Sequence, residues 1–371
     1  MKKLGFGLMR LPTFPEGNAS GANAGEIDIE HMKRMVDTFL AEGFTYFDTA
    51  WMYHNFRSEN ATKEALVDRY PRERYTLADK LHAAYMKSKD DRDAIFNEQL
   101  RKTGVEYFDY YMLHDMREAH KKIYDDLDCF SWIRDKKEKG LVKEIGFSFH
   151  DNAAFLDQVL TEHPEMDFVQ LQINYLDWED NAVQSRLCYE VARKHGKPIV
   201  VMEPVKGGTL ANLPAGASRL LKQVHPELSE ASWAIRFAAG LPGVRVVLSG
   251  MSSDAQMRDN LSYMKEFVPL TEGERQLLRR VADWVRSGIT VPCTGCSYCT
   301  TGCPVSISIP EYFALYNKGD EATGEDYRAL TAKGGAPTDC IGCGACEAVC
   351  PQELPIRSEL QAVAGRYARF V

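Results

Sequence analysis

The feature that most constrains this chain is a run of cysteines near its C-terminus that occurs twice. Of the ten cysteines in the sequence, Cys129 and Cys188 stand alone and the other eight lie between Cys293 and Cys350. In an intracellular protein such density points to metal ligation rather than to disulfides. Bound metal also lets a short segment fold without a large apolar core. The sequence therefore predicts a cysteine-poor body followed by a small metal-bound domain.

The spacing of these cysteines is the same in both runs. Each run reads Cys-x-x-Cys-x-x-Cys-x-x-x-Cys-Pro, the pattern of bacterial two-cluster ferredoxins, in which the fourth thiolate of a run ligates the other cluster. Zinc ribbons also use Cys-x-x-Cys pairs, but not three in series followed by Cys-Pro. The spacing therefore predicts two [4Fe–4S] clusters with crossed ligands. The predicted ligand sets are Cys293, Cys296, Cys299 and Cys350 for one cluster, and Cys340, Cys343, Cys346 and Cys303 for the other.

The body of the chain alternates between short apolar runs and helical patterns. The runs are rich in β-branched and aromatic residues, as buried parallel strands are. Eight such units predict a (β/α)₈ TIM barrel, which takes about 250 residues. An open doubly wound sheet is the competing interpretation, but no Gly-x-Gly-x-x-Gly follows the first strand. The predicted strands are Leu4–Met9, Phe44–Asp48, Tyr75–Lys80, Tyr107–His114, Glu144–Phe149, Phe168–Ile173, Pro198–Glu203 and Val244–Gly250.

The boundary between the two domains is predicted near Ser287. An amphipathic segment, Glu272–Arg286, follows the eighth unit, and Gly288 and Pro292 break the pattern just before the cysteines. We therefore expect a barrel over residues 1–287 and a small α+β ferredoxin-like domain over residues 288–371.

The charge and hydropathy of the chain indicate which kinds of partner it is expected to bind. With 45 basic and 53 acidic residues the formal net charge is −8, so the surface repels phosphate backbones and nucleic acid is not expected as a partner. No stretch approaches the roughly 18–20 apolar residues that span a bilayer, so no membrane association is expected. The N-terminus lacks the apolar region of a signal peptide, and we expect a cytoplasmic protein.

Four reactive side chains follow neighbouring strands of the predicted barrel, where barrel enzymes carry their active sites. Asp48 ends the second strand and Tyr53 follows it, Lys80 ends the third strand, and His114 ends the fourth. Taken singly, each also fits a structural role as helix cap, packing residue or surface charge. Their convergence on one rim favours a common catalytic function.

These four residue types suit the protonation of a carbonyl oxygen. A phenol with a reference pKa of about 10 is a weak acid at neutral pH. A nearby ammonium is expected to lower the pKa of Tyr53, and a carboxylate next to Lys80 would keep that lysine charged and oriented. His114 can donate a hydrogen bond to the carbonyl oxygen, while a hydride arrives at carbon.

At this point the sequence resembles the aldo/keto reductase superfamily, over roughly residues 1–265. The resemblance is carried by Phe47-Asp48-Thr49-Ala50, by Tyr53 followed by Ser58-Glu59, by Lys80, and by Leu113-His114. It implies a catalytic tetrad of Asp48, Tyr53, Lys80 and His114, with Tyr53 as the general acid. It also implies reduction of aldehydes and ketones by a nicotinamide cofactor, usually NADPH, that lies across the barrel mouth.

The resemblance also implies which residues contact the cofactor, although this sequence differs from the family's pattern at some of these positions. Ser148 and Gln172 stand at the family's positions for the nicotinamide carboxamide, but Phe149 replaces an asparagine and Met202 replaces the stacking aromatic. The family's phosphate-binding loop and helix correspond to Gly250, Met251, Ser252, Ser253, Gln256 and Asn260. Basic residues that often bind the 2′-phosphate are absent at Gly250 and Gln256, so the choice between NADP and NAD stays open.

Three functions remain under consideration. The first is an oxidoreductase that interconverts a small-molecule carbonyl and alcohol and is coupled to electron transfer through the clusters, with a redox protein as a partner. The second is a reductase whose iron–sulfur domain is structural or a docking module, and the third is an electron carrier without carbonyl chemistry. Hydride carries two electrons and each cluster one, so a flavin between them is a further alternative, although the sequence shows no flavin motif.

Overall fold

The computed structural model describes residues 2–14, 25–319 and 322–370, and it contains a closed barrel of eight parallel strands. The strands, numbered β1 to β8 in chain order, pair with their neighbours in sequence, and β1 closes the ring against β8. The predicted (β/α)₈ barrel is therefore confirmed. The strands are Leu4–Gly7, Tyr46–Asp48, Thr76–His82, Phe108–Met116, Val142–Phe149, Phe168–Gln172, Ile199–Met202 and Val244–Ser249.

Helices follow each strand around the outside of the barrel. A two-stranded antiparallel ribbon, Thr13–Phe14 with Glu26–Ile27, lies between β1 and the first helix and was not predicted. The helices of this region are Ile29–Ala41, Tyr53–Phe56, Ser58–Thr62, the π-helical turn Lys63–Val67, Lys89–Thr103, Glu118–Asp126, Cys129–Glu138, Ala153–Glu162, Ser185–Lys194, Ala215–Lys222, Glu230–Ala239, Asp254–Met264 and Glu272–Arg286. The short 3₁₀ turns are Leu8–Arg10, Arg72–Arg74, Ala83–Tyr85 and Lys206–Ala211.

Packed side chains fill the inside of the barrel. One apolar cluster occupies the interior, and a larger one lies between the strands and the surrounding helices. Because the interior is filled, reactive side chains have room only beyond the strand ends. The interior cluster consists of Tyr46, Ala78, Tyr110, Met112, Phe168, Val200, Val246 and Leu248.

The last helix of the barrel ends where the sequence predicts the domain boundary. Thr271 and Glu274 begin it with a capping box: the Thr271 hydroxyl accepts the Glu274 N–H at 3.2 Å, and the Glu274 carboxylate accepts the Thr271 N–H at 2.7 Å. The buried face carries Leu278, Val281 and Val285, and the helix ends at Arg286.

The cysteine-rich region after this helix is helical. Among the residues described there, the β-structure consists of one isolated bridge, Ile307 to Gly335, so the β part of the predicted α+β domain is small. The region has its own core, built around Tyr312, Phe313 and Tyr327. Its helices are Tyr298–Thr301, Ile309–Asn317, Gly324–Thr331, Ala345–Ala348 and Ile356–Tyr367, with 3₁₀ turns at Pro337–Asp339 and Ala368–Phe370.

This region packs against the carboxyl ends of the barrel strands. Arg10, just after β1, donates hydrogen bonds to the carbonyl oxygens of Thr294 at 3.2 Å and Gly295 at 3.4 Å. Arg117, just after β4, donates to the carbonyl oxygen of Cys350 at 3.4 Å. The cysteine-rich region therefore covers the mouth of the barrel.

Among the described residues, no helix combines the length and the apolar character needed to cross a membrane.

Gly207 offers a test of this packing. Its φ is +61°, and a Cβ built there would lie 1.7 Å from the carbonyl oxygen of Thr294. Gly140 is a matched control because its φ is +74° and nothing lies within 4 Å of a Cβ built there. Each Gly→Ala change brings the left-handed penalty of about 1–2 kcal/mol. We expect Gly207→Ala to lower the thermal midpoint more than Gly140→Ala does, and to speed proteolysis between barrel and tail. Equal effects of the two changes would contradict the packing.

Candidate active site

The four predicted catalytic side chains lie together at the barrel mouth. The Lys80 ammonium is fully buried and donates to the Asp48 carboxylate, to the Thr49 carbonyl oxygen at 2.7 Å and to the Tyr53 hydroxyl at 3.4 Å. The ring centroids of Tyr53 and His114 are 6.1 Å apart. A buried ammonium in contact with both a carboxylate and a phenol is the arrangement that the sequence predicted.

The backbone that follows Tyr53 is unusual. His54, Asn55 and Phe56 all have positive φ, between 52° and 64°, and each such non-glycine residue costs about 1–3 kcal/mol. The buried His54 ring holds this turn in place because its Nε2 accepts the Leu11 N–H at 3.1 Å. This contact ties the turn carrying Tyr53 to the segment after β1.

Burial changes the acid–base character of Tyr53 in the direction opposite to the sequence-based expectation. Burial and the negative charges of Asp48 and Glu203 raise the pKa of Tyr53 well above its usual range, although Lys80 is close. The prediction of a lowered pKa was therefore wrong in direction, because a sequence does not show how completely a side chain is buried. At neutral pH Tyr53 is therefore protonated but is a weaker acid than a free phenol, so it depends on Lys80 to stabilise its oxygen when the proton leaves.

His114 is a neutral imidazole in this setting. Burial, together with the nearby His82 and Lys80, holds the pKa of His114 well below its usual range. Its Nδ1 is buried and has no hydrogen-bond partner among the described residues. A neutral ring can donate one N–H to a carbonyl oxygen without itself acting as the acid.

A cavity of about 390 Å³ opens over these side chains. Lys80, Ser148 and Ser253 do not line it, since Lys80 lies behind the Asp48 and Tyr53 side chains that it contacts. The other residues predicted for catalysis or cofactor binding line this cavity: Asp48, Tyr53, His114, Gln172, Met202, Gly250, Met251, Ser252, Gln256 and Asn260. The cavity therefore joins the candidate catalytic group to the candidate cofactor loop.

The positions predicted for the nicotinamide carboxamide are partly engaged by the protein. The Ser148 hydroxyl accepts the Asp115 N–H at 2.8 Å and keeps its own proton free to donate. The Gln172 amide donates to Asp177 at 2.9 Å and accepts from Gln352 at 3.0 Å. Gln352 belongs to the cysteine-rich region, so this region reaches directly into the predicted cofactor site.

The loop predicted for phosphate binding leads into the helix Asp254–Met264. The Ser253 hydroxyl caps this helix by accepting the Gln256 N–H at 3.3 Å, and the Gln256 side chain accepts the Ser252 N–H at 2.7 Å. Asn260 donates to the Ser249 hydroxyl at 2.6 Å. The two polar side chains predicted for cofactor contact, Gln256 and Asn260, thus also hold the loop in shape.

Sequence reasoning missed a basic residue beside this loop. Arg10 lines the cavity, and a Cβ built on Gly250 would lie 3.2 Å from the Arg10 side chain. The Ser252 hydroxyl donates to the Arg10 carbonyl oxygen at 2.7 Å. Arg10 follows β1, so it also lies at the rim where barrel enzymes carry their reactive residues, and its position after a strand could have identified it.

Gln170 was also missed. It lies on β6, lines the cavity, and donates from its amide to the Asp48 carboxylate at 3.2 Å. Asp48 therefore accepts from both Lys80 and Gln170, which fixes both of its oxygens. Gln170 sits two residues before the predicted Gln172 on the same strand, so strand alternation could have found it.

The cysteine-rich region forms one wall of the same cavity. Cys296, Tyr298 and Gln352 all line it, opposite Tyr53 and His114. No local sequence pattern marks Tyr298 or Gln352, because their position depends on how the two parts of the chain pack. A predicted metal ligand therefore lies on the wall of the candidate active site.

The eight clustered cysteines surround two small cavities of their own. Backbone amides donate to sulfurs in both groups, for example from Gly295 to Cys293 at 3.4 Å and from Ile307 to Cys303 at 3.5 Å. The first cavity is lined by Cys293, Cys296, Cys299 and Cys350, and the second by Cys303, Cys340, Cys343 and Cys346. Each cavity thus brings together three cysteines of one run and the last cysteine of the other.

Comparison with known proteins identifies both parts of the chain. The aldo/keto reductase family matches residues 3–283, and the 4Fe-4S dicluster domain matches residues 292–354. The chain belongs to the aldo/keto reductase family. It carries in addition a C-terminal 4Fe–4S dicluster domain, which is the cysteine-rich region at the barrel mouth.

One known relative is similar in part of its sequence, and several solved structures are similar in fold. An aldo-keto reductase from Mycolicibacterium smegmatis is 29% identical over 140 residues, 37% of this chain, and the match spans 48% of that relative, about half its length. A thermostable aldo-keto reductase in complex with the inhibitor epalrestat has a TM-score of 0.60 at 20% identity, covering 75% of this chain and 94% of that one.

Two further structures have the same barrel. An aldo-keto reductase from Bacillus halodurans in its holo form has a TM-score of 0.59 at 24% identity, over 75% of this chain and 91% of that one. An aldo-keto reductase from Klebsiella pneumoniae in complex with NADPH has a TM-score of 0.57 at 17% identity, over 76% of this chain and 90% of that one. At these identities the likeness shows that this aldo/keto reductase shares their fold.

Proposed function

We propose that this protein is an oxidoreductase that interconverts a carbonyl and an alcohol by hydride transfer from a nicotinamide cofactor, with Tyr53 as general acid. The observation that carries the proposal is the buried Lys80 ammonium, which contacts both Asp48 and Tyr53 beneath the cavity. Membership of the aldo/keto reductase family supports a small-molecule substrate, which would bind in this cavity beside the cofactor.

Each member of the tetrad has a separate task in this proposal. Asp48 keeps Lys80 charged and in place, and Lys80 stabilises the Tyr53 oxygen once its proton has left. Tyr53 protonates the carbonyl oxygen, and the neutral His114 ring orients that oxygen by donating a hydrogen bond. When bound, the nicotinamide supplies the hydride that reaches the carbonyl carbon.

The cavity fits such a cofactor at both ends. Gln172 and Met202 line the cavity and would lie beside the nicotinamide ring, while Ser148, which does not line it, holds the neighbouring Asp115 backbone in place. The loop of Gly250, Met251, Ser252 and Ser253, with Gln256 and Asn260 on its helix, would hold the phosphates. Arg10 supplies the cation that this loop lacks, and NADP is then favoured over NAD.

We further propose that the dicluster domain holds two [4Fe–4S] clusters with crossed ligands. The thiolates fit this assignment because four of them line each of the two small cavities. The inner cluster is held by Cys293, Cys296, Cys299 and Cys350, and the outer cluster by Cys303, Cys340, Cys343 and Cys346. We place the domain boundary at Ser287 and the protein in the reducing cytoplasm, where thiolate ligands persist.

Electron transfer is favoured over a purely structural role for the clusters by one observation. Cys296, a ligand of the inner cluster in this proposal, lines the same cavity as Tyr53. A structural cluster would not need to lie next to the reacting groups. We therefore propose that the clusters pass two electrons, one at a time, from a redox protein outside to the oxidised cofactor bound in the cavity, which with one proton restores the hydride that each carbonyl reduction consumes.

Replacing the proposed acid tests the catalytic assignment. Tyr53→Phe removes the proton donor and should lower carbonyl reduction by about a hundredfold or more, since general acids contribute roughly 10²–10⁴-fold. Tyr46→Phe is a matched control because its buried hydroxyl has no partner among the described residues. The measurement is the oxidation of NADPH or NADH against a panel of aldehydes and ketones without oxygen. Undiminished rates in Tyr53→Phe would contradict the assignment.

A second test concerns Arg10. Losing one paired charge on a phosphate costs about 1.4 kcal/mol, roughly tenfold in affinity. Arg10→Gln should weaken NADPH binding about tenfold in a fluorescence titration of the intact protein, while Arg258→Gln, an exposed control on the neighbouring helix, should not. If only NADPH binding weakens, Arg10 contacts the 2′-phosphate. If NADH binding weakens as well, Arg10 contacts the pyrophosphate. Unchanged binding of both would contradict the role of Arg10.

The crossed ligation can be read from spectra of single variants. Cys303→Ser and Cys343→Ser should leave the same cluster intact and so give the same EPR spectrum after reduction. Cys350→Ser and Cys296→Ser should instead damage the inner cluster, so both should give the EPR spectrum of the outer cluster. Were Cys303→Ser to match Cys296→Ser instead, each run would hold its own cluster and the crossed ligation would be wrong.

A further inference from the structure

The residue after His114 is held in a strained conformation by an unusual number of partners. Asp115 has a φ of +60° and lies where the register between β4 and β5 shifts. Its N–H donates to the Ser148 hydroxyl at 2.8 Å. Arg117 donates to its carboxylate at 2.7 and 2.8 Å from one terminal nitrogen and at 3.0 Å from Nε.

Two histidines complete the surroundings of this carboxylate. The Nε2 of His82 lies 3.6 Å from Asp115 Oδ2, and the Nδ1 of His120 lies 3.4 Å from it. Asp115 therefore lies between three cationic or proton-donating side chains. The His82 ring, His150 and the Arg117 guanidinium hold the pKa of Asp115 far below its usual range, against the effect of burial, so it is an anion.

Asp115, His82 and His120 have the composition of a metal site, but in this arrangement they contact one another. His82 Nδ1 accepts the Ala84 N–H at 3.0 Å, so Nε2 is the nitrogen that faces Asp115. His120 Nδ1 contacts the Asp115 carbonyl oxygen at 2.8 Å and must carry a proton to do so. A metal ion would have to displace that proton and compete with Arg117 for the carboxylate.

What the carboxylate holds in place is Arg117. This guanidinium is buried, with 8% of the residue exposed, and its other end donates to the Cys350 carbonyl oxygen at 3.4 Å. It therefore spans from the residue after His114 to a proposed ligand of the inner cluster. Its Nε and one terminal nitrogen pair with Asp115 and its other terminal nitrogen contacts Cys350, so the guanidinium lies between the carboxylate and the inner-cluster ligand.

Another barrel cation lies beside the inner cluster. Arg10 donates to the carbonyl oxygens of Thr294 at 3.2 Å and Gly295 at 3.4 Å, the two residues between Cys293 and Cys296. The outer cluster differs, because Cys343 is exposed and the neighbouring Ile341 is 65% exposed. Nearby positive charge raises the reduction potential of such a cluster, whereas exclusion of water lowers it, because reduction makes the cluster and its thiolates more negative. The inner cluster therefore needs nearby cations to be reduced before the exposed outer one.

We propose that Arg117 is a positioning residue that fixes Cys350 to the strand carrying His114 and raises the reduction potential of the inner cluster above that of the outer cluster. The proposal rests on the cluster assignment of the proposed function, not on its carbonyl chemistry. An electron that arrives at the exposed outer cluster then moves to the inner one. The outer cluster is oxidised, the inner cluster is reduced, and no bond is made or broken.

The test is an EPR-monitored redox titration of the full chain, purified without oxygen, in which Cys343→Ser identifies the inner-cluster signal. In the unaltered protein the inner cluster should be reduced first. Arg117→Gln should lower the equilibrium constant for its reduction at least tenfold, about 59 mV for one electron, with the outer signal unchanged. Arg357→Gln, a matched control that pairs with Glu347 near the outer cluster, should leave the inner signal unchanged.

Arg117→Lys keeps the charge but loses the forked contact with Asp115, and it should restore more than half of the shift. If Arg117→Gln binds less iron, the potential of the inner cluster measured in Arg117→Lys tests the proposal instead. An inner potential that is unchanged in Arg117→Gln, or that lies below the outer one in the unaltered protein, would overturn the proposal. If the unaltered protein binds no iron–sulfur clusters, the cluster assignment itself fails, and an iron assay distinguishes that outcome.

Discussion

Closure of the eight parallel strands places every carboxyl strand end on one rim, and the whole candidate site depends on this constraint. Asp48, Lys80 and His114 reach the mouth from consecutive strands that pair in register. The filled interior leaves that rim as the place for a ligand. The dicluster domain packs on the same rim, so both parts of the chain line one cavity.

Paired charges that are largely removed from water hold this mouth together. Lys80 pairs with Asp48, Lys206 with Asp177, and Arg117 with Asp115, all at or near the strand ends. Removing one partner from a buried pair costs about 3–5 kcal/mol, because the other charge is left uncompensated. These pairs are neutral as a whole, and among the described residues Arg10 is the cation that lines the cavity itself, beside the loop proposed to bind the cofactor phosphates.

Much of this arrangement could be predicted from the sequence. The alternation of apolar runs and helical patterns predicts the barrel. Because active residues of such barrels lie at the carboxyl ends of the strands, the sequence also predicts that Asp48, Tyr53, Lys80 and His114 lie close together, as they do in the structure. Cysteine spacing indicated the dicluster domain that the family comparison identifies. These features are local or periodic, so a single sequence carries them.

What the sequence could not show depends on packing between distant segments. The direction of the Tyr53 pKa shift follows from complete burial, and the positions of Tyr298 and Gln352 follow from docking of the dicluster domain. Arg10 differs, because it follows a predicted strand and could have been considered. Its contacts with Thr294 and Gly295 nevertheless required the assembled structure.

The central claim is that one cavity is shared by the proposed acid and by the proposed inner cluster. The most direct measurement is an iron anomalous-scattering map from crystals of the full chain grown without oxygen. The account predicts two separate iron sites, one of them enclosed by Cys293, Cys296, Cys299 and Cys350 on the cavity side facing Tyr53. Iron at the outer thiolates alone, or a dicluster domain that has moved away from the barrel mouth, would contradict it.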